Sequence, residues 1–357
     1  MSTNSDYAKL SSVLVKSKPD NTEIYDMFWS DFRQEFKTFR VDRLIELIKL
    51  IEPDEFLNRC SNNISFDSAW NGLEGKDCLD LCSGSGSYTA AMIESGAKSV
   101  TMADGSFKSL DDFERKINLA ENLTADKHEF VNKVSRVQVN ANTVLDHFQK
   151  ESFDVVFIRY AIHHLENPFQ TILDLSKLLR PGGVLAFNYF RLGTTDPCRR
   201  MLRGFFKQYS AKNIFEILSL IGRIPSVKGK YTLIQLVDND ISNLEFAEKI
   251  KPIVKFLRNV SMLFGIDEVE RRLSFEDFTT SYIHNLNRRE TLEFCKNIGL
   301  DTDSNGGLIL PTSTALSCIK NGPISDIDLP IKGFNTNTSE YMTDLQYVSS
   351  YLKDFVL

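Results

Sequence analysis

The stretch Asp80-Leu-Cys-Ser-Gly-Ser-Gly86 combines a carboxylate with two glycines, and it joins a strand-like run to a helix-like run. The strand-like run is Lys76–Leu79, and the helix-like run extends from Tyr88 to Gly96. A glycine-rich turn of this kind brings backbone N–H groups close to a ligand, because glycine allows positive φ angles and has no side chain to block the approach. The turn therefore predicts a ligand-binding site.

A second carboxylate indicates the kind of ligand. Asp104 ends the strand-like run that begins at Ser99, and it follows Asp80 by 24 residues. A carboxylate at the end of a second strand can accept hydrogen bonds from both hydroxyls of a ribose, so the sequence predicts a nucleoside-containing cofactor. A dinucleotide is disfavoured, because its fingerprint requires a third glycine where this chain has Thr89. A nicotinamide-dependent oxidoreductase is disfavoured for the same reason.

Alternating strand and helix patterns over residues 75–190 predict the elements that position these residues. The predicted strands are 77–81, 99–104, 135–140, 153–159 and 184–190, and the predicted helices are 87–95, 107–122 and 167–179. Strands separated by helices form a parallel sheet, and ligands bind at the carboxyl ends of its strands. We expect that edge to carry Cys82–Gly86, Asp104, Asn140 and Arg159–His164.

Two further stretches resemble a known family. Ser152–Pro168 and Leu178–Phe187 are similar to the fourth strand and the approach to the fifth strand of the class I S-adenosylmethionine-dependent methyltransferases. The glycine-rich turn and Asp104 stand in the same order and spacing. The resemblance implies an α/β fold with a Rossmann-like, doubly wound, mostly parallel seven-stranded sheet. A weaker similarity over Phe278–Gly299 resembles a later substrate-side segment of members that act on small molecules.

The resemblance also implies which residues bind S-adenosylmethionine. Asp80 is expected to orient the turn and face the cofactor's ammonium group, and Asp104 to bind the ribose. Cys82 stands where the family usually has its first glycine, and Asn140 where it commonly has an acidic residue that contacts the adenine. Either Asn140 or Asn142 can accept that hydrogen bond through its amide oxygen, and Asn140 is preferred. The complete predicted cofactor set is Asp80, Cys82, Ser83, Gly84, Gly86, Asp104, Asn140 and Arg159.

His163 and His164 are the candidates for a catalytic base, because imidazole is the usual proton acceptor near neutral pH. The alternative is structural, since a histidine pair at this place often braces the loop through a hydrogen bond to the backbone. The predicted substrate-binding residues are Trp29, Tyr160, Tyr189, Tyr282 and His284. For Trp29 the alternative is packing of the N-terminal helices against the sheet.

Four segments are predicted along the chain. Residues 1–74 form an N-terminal helical segment, and residues 75–195 the S-adenosylmethionine-binding core. Residues 196–284 form a helical cap insertion over the ligand edge, and residues 285–357 complete the core and add a C-terminal helix. The basic run within Cys198–Lys212 is either a solvated helix face or a site for an anionic acceptor.

Composition limits the partners. The chain has 357 residues, a net charge of −6 and no apolar run of membrane-spanning length, which predicts neither nucleic acid nor membrane as a partner. A polar N-terminus and six scattered cysteines favour a cytoplasmic protein with reduced thiols. No metal site is expected.

The resemblance implies transfer of a methyl group to an O or N atom of a small-molecule acceptor, and a biosynthetic metabolite is expected. The C-terminal helix is either packed on the protein or a self-association surface, and the second alternative predicts a homodimer. The alternatives are a peptide or protein acceptor, or an S-adenosylmethionine-binding protein with non-methylating chemistry.

Overall fold

The structure is a computed structural model of the chain, and it describes residues 14–15, 72–119, 132–191, 197–223, 229–238, 247–280, 282–302, 308–309 and 313–325. These residues divide into two compact units. The first contains the described residues up to 191 and from 284 onward, and the second contains those from 197 to 283. In chain order the second unit is therefore an insertion within the first.

A single mixed sheet organises the first unit. Its seven main strands are β2 (Asp77–Leu81), β3 (Ser99–Asp104), β4 (Val134–Gln138), β5 (Phe153–Ile158), β6 (Leu179–Arg191), β8 (Leu300–Thr302) and β10 (Ser313–Lys320). Three two-residue strands, β1 (Leu14–Val15), β7 (Asn285–Leu286) and β9 (Leu308–Ile309), pair with β4, β6 and β10. The main strands lie in the order β4-β3-β2-β5-β6-β10-β8, and β10 is antiparallel to both of its main-strand neighbours. This order confirms the predicted Rossmann-like, mostly parallel seven-stranded sheet.

Ten helices are described. They are α1 (Ser87–Glu94), α2 (Phe107–Leu119), α3 (Pro168–Leu178), α4 (Pro197–Phe206), α5 (Ala211–Leu220), α6 (Leu233–Asp238), α7 (Ala247–Phe264), α8 (Ile266–Arg272), α9 (Phe275–Thr279) and α10 (Arg288–Asn297). Asparagine side chains fix the starts of two helices in the first unit. The Asn167 oxygen accepts a hydrogen bond from the backbone N–H of Gln170 at the start of α3, and Asn287 accepts from Arg289 and Glu290 at the start of α10.

The predicted strands of the first unit lie close to the observed ones, and two differences have a local cause. β4 ends at Gln138 rather than 140, because Asn140 caps a short 3₁₀ helix, Ala141–Asp146. β6 begins at Leu179 rather than 184, and it accommodates Gly182 at a φ of 76°. The predicted N-terminal helices lie outside the described residues.

An ionic cluster joins the amino ends of the strands, at the edge opposite the predicted site. Arg180 Nη1 lies 2.8 Å from Asp154 Oδ2 and 3.0 Å from Asp77 Oδ2. Lys98 Nζ lies 3.2 Å from Asp77 Oδ2, and the Ser99 hydroxyl donates to Asp77 Oδ1 at 2.8 Å. Burial alone would raise the pKa of Asp77, but the hydrogen bonds from Ser99, Arg180 and Lys98 outweigh it and hold that pKa below its ordinary value.

A buried lysine ends the antiparallel strand β10. The Lys320 side chain is 3% exposed, and its ammonium donates to the Leu179 carbonyl at 2.7 Å. The same ammonium lies 2.9 Å from a carboxylate oxygen of Glu151. The charge is therefore paired and hydrogen-bonded where the strand leaves the sheet.

The second unit is helical, and aromatic pairs fill its core. Phe205 stacks on Phe256 at 3.7 Å between ring centroids, and Phe206 stacks on Phe278 at 4.5 Å. Two arginines of the basic run fasten α4 to α9. Arg199 forms a two-point contact with the Asp277 carboxylate, with Nε at 2.8 Å from Oδ2. Arg203 donates to the backbone carbonyls of Asp277 and Thr280. These two side chains hold helices together inside this unit.

Candidate cofactor and acceptor site

The glycine-rich turn between β2 and α1 uses the left-handed backbone region at three alternate positions. Cys82, Gly84 and Gly86 have φ angles of 54°, 56° and 77°. Gly86 is also required by packing, because a Cβ atom there would lie 2.3 Å from Cδ2 of Phe113. Cys82 adopts this conformation with a side chain, which costs about 1–2 kcal/mol relative to the ordinary conformation. The glycine that the resemblance implies at this position would adopt the same conformation without that cost.

Asp80 is buried below this turn and holds the first turn of α1. Its Oδ2 accepts a hydrogen bond from the Thr89 hydroxyl at 2.7 Å. Burial raises the pKa of Asp80 to about 7, and the Asp104 carboxylate adds to the rise, whereas the Thr89 hydrogen bond opposes it. Sequence reasoning treated Thr89 only as a missing glycine. Its position on the first turn of the helix does not show that its hydroxyl faces Asp80.

Asp104 at the end of β3 fixes two backbone segments. Its Oδ2 accepts from the N–H of Gly84 and its Oδ1 accepts from the N–H of Ser106, both at 2.8 Å. Asp104 therefore links the glycine-rich turn to the backbone that follows β3.

The turn also contains the Ser83 hydroxyl and the Cys82 thiol. The Ser83 hydroxyl is buried and has no hydrogen-bond partner among the described residues. Burial raises the pKa of the Cys82 thiol well above its ordinary value, and the carboxylates of Asp104 and Asp80 raise it further. The thiol is therefore neutral at physiological pH. The turn thus offers the Ser83 hydroxyl and the Asp80 carboxylate to a ligand, which fits a polar ligand that carries a positive charge.

The Asn140 side chain has a structural partner. Its oxygen accepts from the backbone N–H of Asn142 at 3.0 Å and from the Asn142 side-chain amide at 3.2 Å, and it caps the 3₁₀ helix. Asn142 in turn accepts from the N–H of Glu166 at 3.1 Å. The proposed contact of Asn140 with adenine competes with this cap, and it stays a prediction.

Arg159 follows β5 and lies between two tyrosine rings. Its guanidinium carbon is 5.0 Å from the centroid of the Tyr88 ring and 4.8 Å from that of Tyr160. Arg159 donates to the Tyr88 hydroxyl through Nη1, and to the Tyr160 hydroxyl through Nη2 at 3.2 Å. Tyr88 was not a sequence candidate, because helical periodicity alone does not say which residue of the first turn faces the next strand.

Tyr160 is exposed and has an unusual backbone. Its side chain is 51% exposed and its φ is 56°, in the left-handed region that non-glycine residues rarely adopt. Its backbone N–H donates to Oδ1 of Asn188 on β6 at 2.6 Å. The structure therefore joins Tyr160 to Asn188, a second polar residue near a strand end that the sequence offers for the acceptor pocket.

The two candidate bases differ in burial. His163 is 1% exposed, and its ring lies 3.8 Å from the Phe190 ring centroid. Its carbonyl accepts from the backbone N–H of His284 at 2.8 Å. His164 is partly exposed, with its ring 4.3 Å from that of His163. The structure therefore brings His163, His164 and His284 together beside the end of β6.

The remaining substrate candidates are Tyr189, Tyr282 and Trp29. Tyr189 is fully buried on β6, and its ring lies 6.1 Å from Phe187. Tyr282 is 37% exposed and belongs to the second unit. Trp29 lies outside the described residues.

Two features are absent from the residues that the structure describes. No group of three or more histidine, cysteine or acidic side chains in this part of the chain is arranged to hold a metal ion. None of the helices described above is long and apolar enough to cross a membrane.

Comparisons with known proteins identify the family. A family model described as "Methyltransferase domain" matches residues 73–250, about half of the chain. The demethylmenaquinone methyltransferase of Lactococcus lactis is 28% identical over 42% of this chain and 54% of its own. The tRNA U34 carboxymethyltransferase of Pseudoalteromonas atlantica is 26% identical over 50% of this chain and 56% of its own. The ubiquinone biosynthesis O-methyltransferase of Actinobacillus pleuropneumoniae is 32% identical over 33% of this chain and 47% of its own.

The chain spans about half the length of each of these curated relatives. The matched segment contains strands β2 to β6, the glycine-rich turn, Asp80 and Asp104. The chain belongs to the class I S-adenosylmethionine-dependent methyltransferase family.

Proposed function

We propose that this protein transfers a methyl group from S-adenosylmethionine to an oxygen or nitrogen atom of a small molecule. The observation that carries the proposal is the hydrogen bonding of the glycine-rich turn and the helix after it. The Gly84 N–H donates to Asp104, and the Thr89 hydroxyl donates to Asp80. Two of the similar proteins are named for quinone biosynthesis, which supports a small metabolite as the acceptor.

The residues of the turn fit the cofactor. Asp80 would face the ammonium group of the methionine portion, because a nearby cation stabilises a carboxylate that burial otherwise keeps partly protonated. Asp104 would accept hydrogen bonds from the ribose hydroxyls, and the Ser83 hydroxyl would bind the cofactor's polar groups. When bound, S-adenosylmethionine supplies an electrophilic methyl group on a positively charged sulfur.

The protein's own part is then mainly positioning. Placing an acceptor atom in line with a reactive group can lower a barrier by about 7–11 kcal/mol. A base is needed only where the acceptor arrives protonated. His164 suits this role better than His163, because His163 is packed against Phe190 and His164 is partly exposed. His163 would position its neighbour through the His284 contact.

Two alternatives remain as outcomes of the test. A peptide acceptor would fit the same cofactor turn, and so would non-methylating chemistry on S-adenosylmethionine. A tRNA acceptor, suggested by one of the similar proteins, is disfavoured by the net charge of −6.

Titration calorimetry with S-adenosylmethionine and S-adenosylhomocysteine tests the proposal. We expect micromolar binding of both by the full chain, and at least tenfold weaker binding by Asp104→Ala. Asp301→Ala, at an exposed position on β8, is the matched control and should bind normally. A folded protein that binds neither ligand would exclude the proposed function. Methyl transfer from labelled donor to small acids and phenols, but not to peptides, would then identify the acceptor class.

A further inference from the structure

We propose that Tyr160 and Asn188, with Arg159 beside them, form a subsite for an anionic oxygen of the methyl acceptor. The inference rests on the proposed function and narrows it to acceptors that carry a carboxylate or a phenolate. All three residues belong to the first unit, at the carboxyl ends of β5 and β6.

Asn188 provides a donor that the described protein does not use. The side chain is fully buried, and its oxygen accepts the Tyr160 N–H at 2.6 Å. A backbone N–H can only donate, so the oxygen must face it and the amide nitrogen must point elsewhere. That nitrogen has no hydrogen-bond partner among the described residues. A buried N–H group without an acceptor is unfavourable, and an acceptor oxygen on a ligand would satisfy it.

Tyr160 provides a second donor at the surface. Its hydroxyl oxygen accepts from Arg159, which leaves the hydroxyl hydrogen to donate in another direction. The Asn188 bond holds Tyr160 in a left-handed backbone conformation, with half of its side chain exposed. Strained residues of this kind persist where surrounding contacts hold them, and they cluster at functional sites.

Arg159 provides the charge. Its guanidinium, which carries a positive charge, lies within 5.0 Å of both tyrosine ring centroids. The Tyr88 hydroxyl also accepts from it, so the Tyr88 hydrogen is directed elsewhere as well. Two phenol groups contact this cation, and the amide of Asn188 is hydrogen-bonded to the backbone of the residue after Arg159. Donors and a cation on neighbouring residues favour an oxygen with negative charge.

Calorimetry on the full chain saturated with S-adenosylhomocysteine tests the subsite. The probes are benzoate against benzamide and 4-nitrophenolate against nitrobenzene, two pairs of similar shape that differ in charge. We expect at least one anion to bind at least tenfold more tightly than its neutral partner, because hydrogen bonds to charged groups are about twice as strong as neutral ones. The pair that shows the preference distinguishes carboxylate from phenolate.

Three variants test which residues cause the preference for the anion. Asn188→Asp keeps an oxygen for the Tyr160 N–H and removes the amide donor, so we expect tenfold weaker anion binding with unchanged S-adenosylhomocysteine binding. Tyr160→Phe keeps the backbone contact and should weaken anion binding by the same factor. It serves as the test variant if Asn188→Asp does not fold. Ser317→Ala is the control, since it removes another fully buried side-chain group without a described partner, on β10, and should change neither affinity.

The outcomes separate the two proposals. If the wild-type protein binds S-adenosylhomocysteine but shows no preference for either anion, or binds no probe, the anionic subsite is refuted and the proposed function stands. If the wild-type protein does not bind S-adenosylhomocysteine, the proposed function itself is refuted. If Arg159→Gln loses S-adenosylhomocysteine while anion binding persists, Arg159 belongs to the cofactor and the subsite is refuted.

Discussion

Asp80 makes the free energy of unfolding of the first unit fall as pH rises, because the pKa of this carboxylate is raised in the folded protein. Burial raises its pKa from 3.8 to about 7 in the folded protein. The folded state therefore binds a proton more tightly than the unfolded state, and the free energy of unfolding falls as pH rises from about 4 to about 7. A difference of about 3 pKa units at 1.36 kcal/mol each corresponds to about 4 kcal/mol. Above pH 7 this contribution is constant.

Asp80→Asn tests this reasoning directly. Asparagine has nearly the same shape, keeps an oxygen for the Thr89 hydroxyl and does not titrate. We expect equal stability of variant and wild type near pH 4, and a variant more stable by up to about 4 kcal/mol at pH 8. Urea unfolding followed by circular dichroism at six or more pH values between 4 and 8 measures the difference. A difference that does not change with pH would refute the argument.

Thr89→Val provides the matched control for the same prediction. The Thr89 hydrogen bond lowers the pKa of Asp80, so its removal should extend the pH-dependent loss of stability above pH 7. A cofactor ammonium beside Asp80 would act in the opposite way and favour the carboxylate. Binding of S-adenosylhomocysteine near pH 6 should therefore release protons in the wild type and none in Asp80→Asn, as calorimetry in buffers of different ionisation enthalpy would show.

Three further predictions concern stability. Cys82→Gly should raise the free energy of unfolding by about 1 kcal/mol in urea melts, because glycine adopts a φ of 54° without strain; an unchanged or lower value would contradict this. Gly86→Ala should lower it by about 2–4 kcal/mol, since the new Cβ would overlap the Phe113 ring and the φ of 77° is strained for alanine; a loss below 1 kcal/mol would show that Phe113 moves away freely. Arg180→Met should cost about 1 kcal/mol at pH 7, a small value because Arg180 is 38% exposed. Because the pKa of Asp77 is lowered in the folded protein, the stability that Asp77 provides is present above its ordinary pKa and is lost as pH falls. The effect of Arg180→Met should therefore vanish below about pH 3. An effect that stays constant with pH would exclude the ion pair with Asp77 as its cause.

The elements and the ligand edge of the first unit could be predicted from sequence because each rests on local patterns. The run Ser99–Asp104 matches β3 residue for residue, since the alternation of apolar residues and the terminal Asp104 mark both its course and its end. The glycines of the turn stand where the backbone has positive φ, so their residue type alone indicated the conformation.

The contacts within the site could not be predicted, because they depend on the rotation of helices against the sheet. Nothing local shows that Thr89 faces Asp80, or that Tyr88 lies over Arg159. Asn140 illustrates a different difficulty, since a polar residue at the start of a loop suits a helix cap and a ligand contact equally well. Tyr282 shows a third, because periodicity does not reveal to which unit a connecting segment belongs.

The buried Lys320 has a consequence for how the sheet is assembled. β10 enters between β6 and β8, and it must find its register after more than a hundred residues of intervening chain have been placed. A slip of two residues would keep the same apolar face inward, so hydrophobic patterning alone discriminates weakly against it. Such a slip would carry the Lys320 ammonium away from Glu151 and the Leu179 carbonyl and leave a charge buried without a partner. A single charge at the end of the strand thus selects one alignment from several that the apolar residues would tolerate.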